Sequence, residues 1–461
     1  MLKSVDNLQK LGTIQLTPQK NQNQTINNSV QQNPSADFSG LNVLGISNKA
    51  NILAFGSTGV SINSLLSSPL GGKVKNAISA EAVKRINGEY PWPKIDKPKA
   101  WMVTAEDSLV MKVGGLAMVA NDLPTSFNAK YGSDPEKHMD IVMPLYIGQS
   151  GKKHASLEPQ GGNKYLYKTA EGKQIEVEKV KTIQTKVFVG KNLKYEPVGI
   201  YVGNIGNSRY ILLENNKYFG INPAKENPSF KEGAYVLNSK GVDEVERFAF
   251  LSKAVADLMK AAKEEEIDKI SAPNVIVAND WHAAPLSGQT RYLSQVKASK
   301  GKISAETADY LKQTPIIHIV HNLLYQGKDR LNSTKILNLL YEENANEIVK
   351  YAKSIDKNSS SLCLKNTYNQ ANVSLNLADK VVAVSPHYAE EIPQTSHLGY
   401  DYTNLLKTRQ GHGTFIGITN GYSKSLIAPN PKVIDNLNKE FNPSEPFKVY
   451  DAGHLDVRSD N

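Results

Sequence analysis

The sequence is nearly without cysteine. Cys363 stands alone among 461 residues, which excludes an internal disulfide framework and any zinc site built from several thiolates, and fits a reducing compartment. Long apolar runs are missing as well. No stretch approaches the roughly 20 continuous apolar residues of a membrane helix, and Met1–Leu16 lacks the apolar core of a secretory signal. A cytoplasmic protein with no membrane contact is the expectation. The net charge of +9 would suit a polyanion, a membrane surface or an anionic small substrate. No stripe of Lys and Arg interleaved with aromatics supports nucleic-acid binding, and no repeat at solenoid or propeller spacing is present. With 40% hydrophobic and 21% charged residues, what remains is a globular chain with room for two or three domains of about 150 residues each.

Residues 1–98 differ in kind from the rest. Thirteen positions in Met1–Pro34 are Asn or Gln, and such a segment cannot bury enough apolar surface to offset its ordering entropy. Leu41–Leu70 is cut by Gly, Ser and Asn every few residues. The expectation is a disordered tail with a short helix near Ala80–Ile86 and a Pro-rich linker over Tyr90–Pro98, all dispensable for folding. From Lys99, short apolar runs end in Gly, Asn, Asp or His and give way to helical periodicity. Strands are expected at Ala100–Thr104, Met139–Pro144, Asn274–Ala278, Ile316–Val320 and Lys380–Val384, and helices at Leu116–Ala129 and Glu244–Glu265. Thr, Val and Tyr at alternating positions from about Gly151 to Leu213 predict inserted antiparallel hairpins. The sum is an α/β fold with a doubly wound parallel sheet whose ligands sit at the C-terminal ends of its strands.

Four clusters fall at strand ends. In Lys112-Val113-Gly114-Gly115-Leu116, two glycines admit close approach to a helix start and a lysine adds charge, as in a phosphate cradle. A tight turn with a surface lysine is the plainer account of the same residues. Asn279-Asp280-Trp281-His282 offers an acceptor, a flat apolar face of the kind sugars stack on and a proton-transfer group, or else a helix cap beside a packed tryptophan. His321 begins the run to Gly327 where a strand stops and reads as functional, whereas His318 inside the strand reads as a core histidine. In Asp379–Tyr388, Ser385 reads as the cap of a helix starting near Pro386.

The order and spacing of these clusters resemble the N-terminal half of bacterial glycogen synthases and plant starch synthases, glycosyltransferase family 5. The resemblance covers about Lys99–Pro429. The family's glutamate followed by K-T-G-G-L-x-D-V and A-L-P is similar to Glu106, Lys112–Val119 and Leu123-Pro124; its strand ending in M-P-x-Y to Val142–Tyr146; its D-N-x-x-R-F to Asp243–Phe248. Its H-D-W-H is similar to Asn279–His282, its V-H-N-L-A-Y-Q-G to Val320–Gly327, its A-D-x-V-x-T-V-S-P-x-Y-A-x-E-I to Ala378–Ile392, and its G-I-x-N-G-I-D to Gly417–Ser423.

The resemblance implies a Rossmann-like domain over 99–429, one half of a GT-B glycosyltransferase, after a low-complexity tail over 1–98. It implies a retaining transferase that moves glucose from ADP-glucose or UDP-glucose to an α-1,4-glucan, with no metal and no cofactor. By position, His321 would be catalytic, and Lys112, Gly114, Gly115, Asp280, Trp281, His282, Asn322, Tyr325, Gln326 and Asn420 would bind substrate. Two residues depart from the pattern: Met118 stands where the family has an acid, and Ser423 where it has an aspartate. The region 430–461 reads as a linker and the start of a second Rossmann-like domain, with Val457-Arg458-Ser459 near the family's arginine-bearing strand. The expectation is therefore the N-terminal part of a glucan synthase, inactive by itself. The alternative is a non-catalytic glucan-binding or regulatory protein.

Overall fold

Uninterrupted apolar runs make strands buried on both faces, and the sheet at the centre of this protein is built from them. The computed structural model describes residues 82–420, except 133, 135, 190–191, 226–232, 265–266, 268, 293–295, 299, 330–332, 345–362 and 365–366, together with 435–436 and 438–440. In chain order the strands are β1 (Lys99–Val103), β2 (His138–Pro144), β3 (Gly148–Ser150), β4 (Lys153–Gly161), β5 (Lys164–Lys168), β6 (Gln174–Val189), β7 (Asn192–Ile205) and β8 (Ser208–Glu214). They continue as β9 (Val275–Asn279), β10 (Ile316–Val320), β11 (Lys328–Asp329), β12 (Cys363–Leu364), β13 (Thr367–Asn369), β14 (Lys380–Ala383) and β15 (Phe415–Gly417).

The main sheet has the order β15-β14-β10-β9-β1-β2-β8-β7-β6-β5-β4-β3, and β11, β13 and β12 form a small second one. From β15 to β8 every neighbouring pair is parallel. Winding runs outward from β1 through β2 to β8, then restarts at β9 on the other side of β1, so its direction reverses between β1 and β9. Such a reversal leaves a crevice at the carboxyl ends of the two strands, because the helices that follow them go to opposite faces. The expected hairpins are antiparallel strands from β3 to β8. They extend the main sheet, since β8 pairs parallel with β2 and antiparallel with β7.

The helices used below are α1 (Leu116–Tyr131), α2 (Glu244–Lys263), α3 (Pro285–Tyr292), α4 (Ala305–Gln313), α5 (Ser333–Tyr341), α6 (Gln370–Leu377) and α7 (Pro386–Glu391). α2 starts where the Asp243 carboxylate accepts the Glu246 amide at 2.8 Å, an N-cap with acids in the first turn. It buries Phe248, Phe250, Leu251, Val255, Leu258 and Met259 completely. α7 begins as the sequence suggests: Ser385 Oγ accepts the Tyr388 amide at 3.0 Å and Pro386 occupies the first turn.

The domain edge expected at Lys99 moves N-terminally. Residues 82–86 are helical, Ala82 and Ile86 join the main core, and Arg85 is 1% exposed. Arg85 forms an ion pair with Asp379, donates to the Lys312 carbonyl at 3.1 Å, and lies 4.0 Å from the Tyr90 ring centroid. The Thr414 hydroxyl donates to the Ile86 carbonyl at 2.8 Å. Residues 82–90 are thus packed chain, while 91–97 are mostly exposed, as a linker would be. The rest of the tail, residues 1–81, lies outside the described residues, as does Ser423.

Candidate functional site

Three of the four strand-end clusters converge on the crevice between β1 and β9, the exception being Asp379–Tyr388. β1 leaves the sheet at Thr104, whose hydroxyl donates to the Glu106 carbonyl at 2.8 Å and accepts the Glu106 amide at 3.3 Å, a tight turn that sets Glu106 into the crevice. One oxygen of the Glu106 carboxylate accepts the amides of Val113 at 2.7 Å and Gly114 at 2.8 Å; the other accepts the Tyr235 hydroxyl. Tyr235 arrives from the turn Gly233–Tyr235, which α2 anchors from below. The buried Arg247 guanidinium donates to the carbonyls of Tyr218, Ala234, Val236 and Gly220, so both neighbours of Tyr235 are held.

Across the crevice β9 stops at Asn279, and Asp280 adopts a left-handed conformation with φ 62°, which a short polar side chain tolerates. Its carboxylate accepts the Trp281 amide at 2.6 Å and its own amide donates to the Ile319 carbonyl at 2.9 Å. Asn279 Nδ2 donates to the Thr104 hydroxyl at 3.2 Å, leaving Oδ1 toward His321 Nε2 at 2.8 Å. That network places the imidazole proton on Nε2. Neither Asn279 nor Asp280 caps α3, so the capping account of this cluster is replaced by these contacts.

The result is a cleft of about 480 Å³ lined by Glu106, Val113, Gly114, Gly115, Leu116, Tyr235, Glu244, Asp280, Trp281, His282, Asn322 and Tyr325. Three of these are carboxyls and none is Lys or Arg. Burial pushes the Asp280 carboxyl up to about 7, and the charge of Glu106 adds to the effect. Burial also lowers His321 to about 4 and holds His282 well below the usual imidazole range, so both rings are neutral at physiological pH. His282 is stacked on Trp281 at 3.9 Å and met edge-on by Phe248 at 4.8 Å, and is 3% exposed. Neither of its ring nitrogens has a partner among the described residues.

Seven of the sequence-named residues meet in the cleft: Gly114, Gly115, Asp280, Trp281, His282, Asn322 and Tyr325. His321 adjoins it through Asn279. The other three lie outside the lining. Lys112 is exposed and lies outside the lining; its amide donates to Glu171 on the inserted region at 2.7 Å. Gln326 is 3% exposed and structural, accepting from Asn369 at 2.8 Å and donating to the Leu323 carbonyl at 2.5 Å. Asn420 lies beyond β15 with its amide on the Val384 carbonyl at 3.2 Å, away from the lining.

Trp281 lines the cleft but is 5% exposed, packed by His282 and Phe248 and closely backed by Gly327, at φ 60°, where a Cβ would come within 2.3 Å of the ring. Packing therefore takes up most of the face expected to stack on sugar. His318 is buried in β10, as expected for a core residue, although its Nδ1 has no partner among the described residues. Met118 sits half-buried in α1. Glu106, Tyr235 and Glu244 are lining residues that site reasoning from the sequence passed over. The spacing of Glu106 from the glycine pair was a signal for one of them; Tyr235 had none.

The family model of the starch synthase catalytic domain matches residues 99–408. The glycogen synthase of Clostridioides difficile is 28% identical over 353 residues, 74% of this chain and 58% of that protein. That of Moorella thermoacetica is 26% identical over 371 residues, 80% and 57% of the two chains, and granule-bound starch synthase 1 of Pisum sativum 26% over 189 residues, 40% and 28%. This chain spans a little over half the length of the glycogen synthases it matches. A solved catalytic domain of starch synthase IV from Arabidopsis thaliana, bound to ADP and acarbose, aligns over 72% of this chain and 54% of that one with TM-score 0.48 and 18% identity. No helix among the described residues is long and apolar enough to cross a membrane. Two thirds of the sequence fitting one family model, with that family's strand-end motifs gathered at the reversal of the sheet, the chain belongs to the starch synthase catalytic domain family.

Proposed function

We propose that this chain works in α-1,4-glucan synthesis, as the Rossmann-like domain of a retaining glucosyltransferase that holds the glucan and faces the donor, ADP-glucose or UDP-glucose. The observation that carries the reading is the meeting of Gly114-Gly115, Asp280-Trp281-His282 and Asn322 with Tyr325 in one cleft at the sheet's reversal. In that cleft a neutral His321 next to the transferred glucose steadies developing positive charge without opposing it, His282 offers unpartnered nitrogens to sugar hydroxyls, and Tyr325, 61% exposed, offers a free ring. Placement and electrostatics would supply most of the catalysis.

Among the described residues the lining has no cation to oppose a departing diphosphate, which is why the 461-residue chain alone is expected to bind glucan and transfer glucose only slowly. The same observation favours a second reading, a glucan-binding protein without transferase activity. The two are separated by joining this chain to the part of the Clostridioides difficile glycogen synthase that it does not span, then following labelled glucose from ADP-glucose and UDP-glucose into glycogen. Transfer supports the first reading and identifies the donor. Malto-oligosaccharide binding without transfer supports the second, and failure of both discards both.

A further inference from the structure

We propose that Glu106 is a displaceable internal anion: its carboxylate occupies the Val113–Gly114 amide pair that a ligand's diphosphate would use, and the Tyr235 hydroxyl keeps it there. The inference deepens the reading of the cleft as a nucleotide-sugar site and rests on it. Two consecutive amides at the entrance to a helix of sixteen residues form a binding position for any oxyanion, a carboxylate or a phosphate alike. Here the chain fills it with its own glutamate, 3% exposed, through three hydrogen bonds from neutral donors. No ion pair from Lys or Arg to Glu106 occurs among the described residues.

Three further observations say that this arrangement is exchangeable. A Cβ built on Gly114 or Gly115 would meet nothing within 4 Å, and neither residue has a positive φ, so the protein's own packing does not demand glycine at either position. The open space over the loop admits something from outside. His282, buried in the lining of the same cleft, has no hydrogen-bond partner for either ring nitrogen among the described residues, a separate sign that the lining is made to hydrogen-bond a ligand. Finally, Glu106 shares the cleft with Asp280, whose proton its charge helps to retain, and no Lys or Arg stands in the described lining to hold the carboxylate in place.

The opposite account makes Glu106 a brace that shapes the loop for its ligand. The two differ in sign. Binding of ADP and of UDP to the full chain is measured by titration calorimetry on the wild type, Glu106→Gln, Glu106→Ala and Tyr235→Phe, with melting temperature and malto-oligosaccharide binding on the same preparations. Displacement requires nucleotide binding at least tenfold tighter in the Glu106 variants and severalfold tighter in Tyr235→Phe. Weaker binding, or binding within twofold of the wild type, overturns the proposal, as does undetectable nucleotide binding in all four proteins. Should Glu106→Ala fail to fold, Glu106→Gln and Tyr235→Phe decide the matter, since each keeps the shape of the residue it replaces. The oligosaccharide arm reports on the glucan reading separately: its loss in the wild type sinks that reading whatever the nucleotide does.

Discussion

At the scale of single residues, the site runs on groups held neutral by burial. The Asp280 carboxyl, pushed up to about 7, stays protonated in the folded chain over a range where the unfolded chain has already lost the proton. A raised acid therefore contributes stability that is complete below about pH 4 and gone once pH passes about 7. Asp280→Asn keeps the left-handed backbone, which Asn tolerates, and removes the titration. We expect the variant to gain on the wild type as pH rises from 5 to 8, by roughly 3 kcal/mol as an upper bound, from the two pH units between 5 and about 7 at about 1.4 kcal/mol each. Melting curves across that range check it; a difference independent of pH would mean that Asp280 is not the titrating group. For His321, the expectation concerns turnover in the joined protein described above. His321→Ala should lower kcat about a hundredfold, roughly 3 kcal/mol on the barrier, with glucan binding little changed. A variant that melts early but turns over normally would remove His321 from the site.

At the scale of elements, α2 organises the cleft from beneath. It donates the Arg247 guanidinium to the two carbonyls flanking Tyr235 and to those of Tyr218 and Gly220, and places Glu244, at its first turn, in the lining. Replacing Arg247 with Met preserves length and apolar packing but takes the guanidinium from the carbonyls of Tyr218, Ala234 and Val236, while Gly220 keeps the Asn238 side-chain amide at 3.2 Å. The expected cost is roughly 3 kcal/mol or more, from unsatisfied carbonyls at about 1–3 kcal/mol each with partial relaxation. Denaturant melts would show it, together with faster proteolysis near 233–236; equal stability would show that water or rearranged chain satisfies the carbonyls. The helix was legible from its apolar period and its Asp243–Glu246 start. Its grip on Tyr235 was not, because the sequence does not say which carbonyls a buried arginine will find.

At the scale of the whole molecule, segments far apart in sequence are tied together at Asp379. Its carboxylate accepts the Ile316 amide at 2.8 Å and pairs with both Arg291 and Arg85, so the helical residues 82–86 are tied to the end of the sheet opposite the cleft. A chain beginning at 99 should therefore melt lower than one beginning at 82. Losing a buried ion pair partner together with the apolar contacts of Ala82 and Ile86 is worth about 3 kcal/mol, several degrees for a domain of this size. Coincident melts of the two would restore the edge at Lys99. Arg85→Ala in the longer chain tests the ion pair without removing the backbone.

The sequence alone carried the parallel sheet, the inserted antiparallel strands and the family, because strand and helix periods are local and the strand-end motifs have a fixed order and spacing. It also placed His321 and Asp280 at the ends of their strands, since a strand's last residue is set by where its apolar run stops. Which side chains face the cleft was decided only by tertiary structure. Trp281 and Gln326 stand in the same short motifs as His282 and Tyr325, yet packing turns Gln326 away and encloses most of Trp281. Glu106 and Tyr235, 129 positions apart, become partners because the reversal of the sheet between β1 and β9 brings their segments to one edge. Neutrality of Asp280, His282 and His321 has the same origin. Desolvation depends on what surrounds a group in space, and those surroundings come from segments that the local pattern of residues does not connect.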